Sequence, residues 1–135
     1  MEENGLIPHP PLFRLLIADD HIHIRETLAL WVKSLYPDIQ ILLAENGARA
    51  IQICQSCPVN LILVDLKMPD LDGCETTRRI KQSCPQVPVF LMSIHDSDVY
   101  HQEALLAGAD GFLSKNKIDM ELPLVLMQFI SRKEI

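Results

Sequence analysis

Five side chains in this sequence point to one chemistry. Asp19 and Asp20 close the apolar run LFRLLIA, Asp65 closes NLILVD, Ser93 closes VPVFLMS, and Lys115 follows DGFLS. A carboxylate at the end of an apolar strand is costly to bury unless something stabilises its charge. Brought together, three aspartates repel one another by about 4 kcal/mol for each pair ~4 Å apart at an effective dielectric near 20. A divalent cation offsets this directly. Mg²⁺ favours hard oxygen ligands and keeps several waters, so one to three carboxylates suffice. A lysine and a hydroxyl are not needed merely to store a metal. They suit a phosphoryl group, whose oxygens the metal and the ammonium neutralise while the hydroxyl donates a hydrogen bond. An aspartate carboxylate can itself be the nucleophile that takes the phosphate, and Asp65 is read as that acceptor.

Each position taken singly has a plainer reading. Asp19-Asp20 can be only a helix start, since aspartate caps helices well. Asp65 can open a turn with Pro69, Asp70 and Gly73. Ser93 can be an ordinary strand-end hydroxyl, and Lys115 a solvated lysine. The functional reading rests on all five falling at strand carboxyl ends in order.

The elements that must position them follow from hydrophobic spacing. Residues 12–18 form a short apolar run. In 23–36, Ile24, Leu28, Trp31, Val32 and Leu35 share one helical side until Pro37 stops it. Residues 39–45 read as a second strand, and Asn46 as the cap of a helix whose apolar face includes Ala50, Ile51 and Cys54. The run 60–65 is continuously apolar, as suits a strand buried on both faces of a parallel sheet. A helix over 73–84 ends at Pro85, and 87–93 is a fourth strand. Residues 96–109 form a helix with an aspartate or serine cap and a Gly108 stop. A short strand at 110–114 and a helix over 118–132 complete the pattern. Strands alternating with helices predict an α/β domain with a parallel sheet, whose working site lies beyond the strands' carboxyl ends.

Composition narrows the classes. The chain has 135 residues, 48% hydrophobic and 22% charged, which suits one globular domain with a real core. Its net charge of −6 argues against this chain gripping nucleic acid directly, because backbone binding needs a basic face. No apolar run reaches membrane-spanning length and no signal peptide opens the chain, so it reads as cytoplasmic, with no membrane partner. Cys54 and Cys57 form a C-x-x-C pair without a second pair or a histidine at zinc-finger spacing, so plain thiols are expected. Residues 1–11, polar and proline-rich, read as a flexible N-terminal arm.

Four pieces, LLIADDH, LILVDLKMPDLDG, VFLMSIHD and AGADGFLSK, resemble the receiver domain of bacterial two-component response regulators over 12–132. ADDH, SIHD and GADGFLSKN look most like the NarL/FixJ (LuxR-type) subfamily, whose members usually carry a helix-turn-helix output domain. The resemblance implies a flavodoxin-like (βα)5 doubly wound sheet of strand order 2-1-3-4-5. It implies that a sensor histidine kinase phosphorylates Asp65, and that Asp19, Asp20, Asp65 and the Lys67 carbonyl hold Mg²⁺. Lys115 would pair with the phosphate. Ser93 would be the switching hydroxyl and Phe112 the switching aromatic, together reshaping the surface of the last two helices and the fifth strand. It also implies self-catalysed phosphoryl transfer and autodephosphorylation rather than an enzyme acting on other molecules. Asn116 stands where many receivers have a cis proline, so no cis peptide is expected. Ile94 follows the switch serine where alanine or glycine is common, and can narrow access to the acceptor. Lys67 and His95 flank the site at its rim, as does His21. No output domain is found in this chain, and a piece of a longer regulator of transcription is the expectation.

The last helix has an apolar stripe of Ile118, Leu122, Val125, Leu126 and Phe129 that suits core packing. Met120, Leu124, Met127 and Ile130 fall off it, and are expected to contact a second copy or an output domain. Three rival classes fit the sequence less well. A phosphatase of the haloacid dehalogenase type needs an Asp-x-Asp element, whereas Leu66 and Lys67 follow Asp65. A nucleotide or flavin module needs a Gly-rich loop after the first strand, and the chain has only 5 glycines. A phosphorylation-independent interaction domain would not need the intact five-residue set.

Overall fold

The computed structural model describes residues 12–95 and 97–134. The N-terminal arm read at 1–11 lies outside them. The order is β1 (Arg14–Ala18), α1 (Ile22–Leu35), β2 (Gln40–Ala44), α2 (Gly47–Ser56), β3 (Leu61–Asp65), α3 (Gly73–Ser83), β4 (Val89–Ser93), α4 (Asp98–Leu106), β5 (Gly111–Ser114) and α5 (Ile118–Glu134). A single 3-10 turn, Lys115–Lys117, joins β5 to α5. The sheet is parallel throughout, in the order β2-β1-β3-β4-β5. That is the expected doubly wound topology.

The sheet separates two cores. On one face α2, α3 and α4 cover Leu16, Ile62, Val64 and Leu91; on the other α1 and α5 cover Leu15, Ile17, Leu61, Leu63 and Met92. Alternate residues of β1 and β3 serve opposite cores, which explains why these strands are continuously apolar. Every residue of β3 is buried. Each leucine or isoleucine there contributes about 1.5–3 kcal/mol through burial, and Asp65 is the exception at the strand's end.

The caps follow the sequence where local chemistry sets them. Asn46 accepts the Arg49 N–H at 2.8 Å, and Asp72 accepts the Glu75 N–H at 2.9 Å. Gly108 has φ +94°, and the bonds Gly108 N–H to Leu105 O and Ala109 N–H to Ala104 O close a Schellman motif after α4. Ser97 occupies the α4 cap position without a side-chain bond, and α4 spans 98–106 rather than 96–109. In α1 only Leu28 and Val32 are fully buried, with Trp31 half-buried against them. Ile24 and Leu35 lie near the two ends of that stripe and are 37 and 44% exposed, outside the stretch that Leu28 and Val32 bury.

In α5 the stripe Ile118, Leu122, Val125, Leu126 and Phe129 packs on the core as expected. Met120, Leu124 and Met127 stand 63, 63 and 54% exposed. Ile130 departs from the expected contact face. It is half-buried against the α1/α5 core, since it stands one turn, four residues, beyond the buried Leu126. Pro123 sits within α5, preceded by the 3-10 turn. Among the described residues no peptide bond is cis, and no helix is long and apolar enough to cross a membrane. The four cysteines are free thiols, and burial pushes Cys54 up to about 12.

Candidate functional site

Parallel strands carry their carboxyl ends to one edge, and the β1–β3 and β3–β4 registers set which ends are neighbours. Ala18 pairs with Val64 and Asp65 with Met92, so Asp19, Asp65 and Ser93 emerge side by side. Lys115 arrives from β5, one residue past Ser114, the partner of Ser93.

The lysine ties the cluster together. Its Nζ lies 2.9 Å from Asp19 Oδ2 and 3.1 Å from Asp65 Oδ1. The three side chains are 12, 0 and 6% exposed, so these are largely desolvated ion pairs. Burial raises the Asp65 carboxyl above the usual carboxylate range; Lys115 pulls the other way, while Asp19 and Asp20 add to the rise. For Lys115, burial pulls the ammonium down, but its bond to Asp19 and the charges of Asp65 and Asp19 outweigh that and carry it upward.

Asp19 is held by its surroundings. Its backbone N–H donates to Ala44 O, and Arg25 of α1 donates to its carbonyl at 2.8 Å. The His21 N–H donates to Asp19 Oδ1 at 2.9 Å. The His21 ring closes over the pair, with Nδ1 3.3 Å from Asp19 Oδ1 and 3.2 Å from Asp20 Oδ1. Asp20 Oδ1 is nevertheless buried without a hydrogen-bond partner. Ligand atoms of Asp19, Asp20, His21 and Asp65 all lie within 4.8 Å of one another. An orphaned buried carboxylate oxygen beside two more carboxylates is what a hard divalent cation satisfies. The donor set therefore fits Mg²⁺.

The loop after β3 is fixed at both ends. Leu66 N–H donates to Met92 O, and Gly73 N–H donates back to Leu66 O. Gly73 is required by close approach: a Cβ there would stand 2.4 Å from Asp65 O and 2.8 Å from Leu66 Cα. Between them Asp70 takes φ +66° beneath a Leu71 N–H to Pro69 O bond, a γ-turn that aspartate tolerates better than most residues. Lys67, within this loop, is exposed. It lines an open groove of about 680 Å³ with Asp20, Met68, Arg78, Tyr100 and Glu103.

Ser93 is 2% exposed, and its Oγ accepts the His95 N–H at 2.9 Å. Ile94 is 60% exposed, and its carbonyl accepts from Asn116 Nδ2 at 3.3 Å. Phe112 is half-buried on the α2–α3–α4 face, its ring stacked on His101 at 4.2 Å. The structure thus gathers Asp19, Asp20, Asp65 and Lys115 at one point. Lys67, Ile94 and His95 lie on the rim, and Phe112 one layer out. Sequence reasoning left His21 at the rim, whereas its ring joins the carboxylate cluster. It missed Arg25, one helical turn beyond the aspartate pair, and Glu121, whose Oε1 accepts the Ser114 N–H at 3.0 Å just before Lys115. An acidic residue in a helix's first turn was the available signal for Glu121. It missed Tyr100 as well.

A five-stranded 2-1-3-4-5 sheet with a lysine-bridged acidic cluster at its carboxyl edge defines a receiver-type signalling domain. The response regulator receiver domain family matches residues 15–125, and the chain belongs to that family. Its nitrate/nitrite response regulator relative NarL from Escherichia coli K12 is 37% identical over 110 residues, 79% of this chain and 48% of that protein. Among solved structures, the signal receiver domain of the response regulator NarL from Mycobacterium tuberculosis is 28% identical with a TM-score of 0.78. It covers 88% of this chain and 96% of that one. The receiver domain of the histidine kinase CKI1 from Arabidopsis thaliana, solved with Mg²⁺ and BeF₃⁻, is 25% identical with a TM-score of 0.76, covering 88% and 90%. The chain spans about half the length of the curated relatives it matches. It is the receiver domain of a two-component response regulator of the NarL/LuxR type.

Proposed function

We propose that Asp65 accepts a phosphoryl group from the phosphohistidine of a sensor histidine kinase. The observation that carries this is the Lys115 ammonium bridging Asp19 and Asp65 beside the unpartnered Asp20 oxygen. A carboxylate oxygen of Asp65 attacks phosphorus, the P–N bond to the donor imidazole breaks, and that imidazole leaves with the bond's electrons. The Lys115 ammonium, already within 3.1 Å of Asp65, neutralises a phosphoryl oxygen. Ser93 turns its hydroxyl toward the new group. Asp19, Asp20, Asp65 and the Lys67 carbonyl would hold Mg²⁺, which supplies charge neutralisation for the phosphoryl oxygens. The CKI1 receiver, solved with Mg²⁺ and BeF₃⁻, supports Mg²⁺ binding by this domain by analogy.

Downstream, Phe112 follows Ser93, and the α4-β5-α5 surface shifts between two populations. Met120, Leu124 and Met127 then contact a second copy or an output domain. The receiver unit runs over 12–132 behind an arm at 1–11, works in the cytoplasm, and controls transcription through a DNA-binding domain outside this chain. Intact-protein mass spectrometry with Mg²⁺ and acetyl phosphate tests the reading. Wild type gains one phosphoryl group, and neither the EDTA-treated protein nor Asp65→Asn does. A wild type that stays unmodified and binds no beryllofluoride refutes it in favour of a phosphorylation-independent interaction domain.

A further inference from the structure

Helix α4 is poorly anchored by apolar burial. Ala104 is its one buried residue, while Val99, Leu105 and Leu106 are 63, 73 and 82% exposed. Burying a single methyl group stabilises little. What grips the helix is aromatic, and it is concentrated in two adjacent residues of the first turn. The Tyr100 ring stacks on His95 at 5.5 Å and 26°, and the Lys67 Nζ lies 5.4 Å from the centre of the same ring. The next residue, His101, stacks on Phe112 at 4.2 Å and 28°. Tyr100 and His101 therefore hold α4 to the β4–α4 turn, to the loop after the acceptor strand, and to β5.

Two of these contacts compete with a phosphoryl group on Asp65. The Ser93 hydroxyl accepts the His95 N–H at 2.9 Å and still has its own hydrogen to donate. If Ser93 turns to a phosphoryl oxygen and keeps the first bond, the turn must travel with it and carry the His95 ring off Tyr100. Lys67, two residues past Asp65, is drawn toward the added negative charge and away from the ring face, since an exposed cation–π contact is weaker than a charge-assisted hydrogen bond.

We propose that Tyr100 and His101 form a clasp, with Tyr100 as the positioning residue that converts the movement of Ser93 and Lys67 into release of α4. The proposal rests on the reading of Asp65 as phospho-acceptor. Hydrogen–deuterium exchange over 98–106, with and without Mg²⁺ and beryllofluoride, tests it. In wild type, beryllofluoride speeds exchange there by about 2- to 10-fold, the population change that losing one aromatic stack brings. In Tyr100→Leu, exchange is already fast, and beryllofluoride changes it by less than about 2-fold, while Tyr100→Phe restores the wild-type response. His95→Ala removes the same contact from the exposed turn and reproduces the Leu result, should Tyr100→Leu fold poorly. An unchanged beryllofluoride response in Tyr100→Leu and in His95→Ala overturns the clasp. So does a wild type that binds beryllofluoride without faster exchange in α4, and in both cases the phospho-acceptor reading stands. A wild type that binds no beryllofluoride overturns both.

Discussion

Replacing Lys115 by methionine keeps the stem that packs beside the cluster and removes the charge. The ammonium contacts Asp19 at 2.9 Å and Asp65 at 3.1 Å, both nearly inaccessible to solvent. At an effective dielectric near 20, each such attraction is about 5 kcal/mol, and each carboxylate pair within the cluster repels by about 3 kcal/mol. The lysine thus roughly balances three mutual repulsions, and without it they stand unopposed. Measured losses on removing one partner of a buried ion pair run about 3–5 kcal/mol. Partial exposure of Asp20 and protonation of Asp65 relieve part of this, so we expect about 3 kcal/mol at pH 8 in EDTA, or roughly 10 °C in Tm. The penalty shrinks as pH falls, because Asp65, already raised by burial, loses the group that lowers it and protonates more readily. Mg²⁺ recovers more stability in the variant than in wild type. Urea denaturation at pH 8 and pH 5, with and without Mg²⁺, reads all three effects. A variant within about 0.5 kcal/mol of wild type in EDTA at pH 8 would refute the balance argument.

Asp65→Asn is expected to be more stable than wild type in EDTA at pH 7. A carboxyl whose folded pKa is raised binds more protons folded than unfolded, so its ionisation costs stability as pH climbs from the ordinary carboxylate range through the folded pKa. The advantage therefore closes as the solution is acidified, which thermal melts across pH will show. Gly73→Ala should lose about 2 kcal/mol or more by urea titration, because the new Cβ meets backbone atoms of Asp65 and Leu66 that cannot swing aside. With its thiol pushed up to about 12, Cys54 should resist iodoacetamide at pH 8 in the native protein and react once urea unfolds it, as peptide mass mapping will record.

How far the sequence carried the reader depended on the range of the forces involved. The β3 run NLILVD, the Asn46 cap and the Gly108 stop are set by local chemistry, and the structure has them where the sequence put them. Asp19, Asp65 and Lys115 converge as expected because a parallel sheet leaves the ends of its strands no other place to go. The positions of His21 and Arg25 were not legible in the same way. Each depends on how α1 leaves the strand, an angle that a hydrophobic period does not encode. Ile24, Leu35 and Ile130 were misplaced for a related reason. A helical stripe says which side faces inward, and only the packed partner decides where along the helix that side is covered. Tyr100 and His101 gave no pattern at all, since aromatic stacking between a helix and two loops leaves no spacing in sequence.

The strand order has a consequence for how the chain is made. β1 lies between β2 and β3, pairing Leu16 with Leu42 and with Ile62. No two strands adjacent in space are joined by a tight turn, so every ladder must close a loop of a helix's length before any pairing is gained. At a synthesis rate of about 5–20 residues per second, the apolar stretch Leu15–Ala18 waits several seconds for its second partner. During that interval this interior strand of the future sheet is its most adhesive part. A newborn chain is then at greatest risk of aggregation at the segment that ends in Asp19 and Asp20, and substitutions that slow β3 pairing should lower the yield of folded protein before they alter its chemistry.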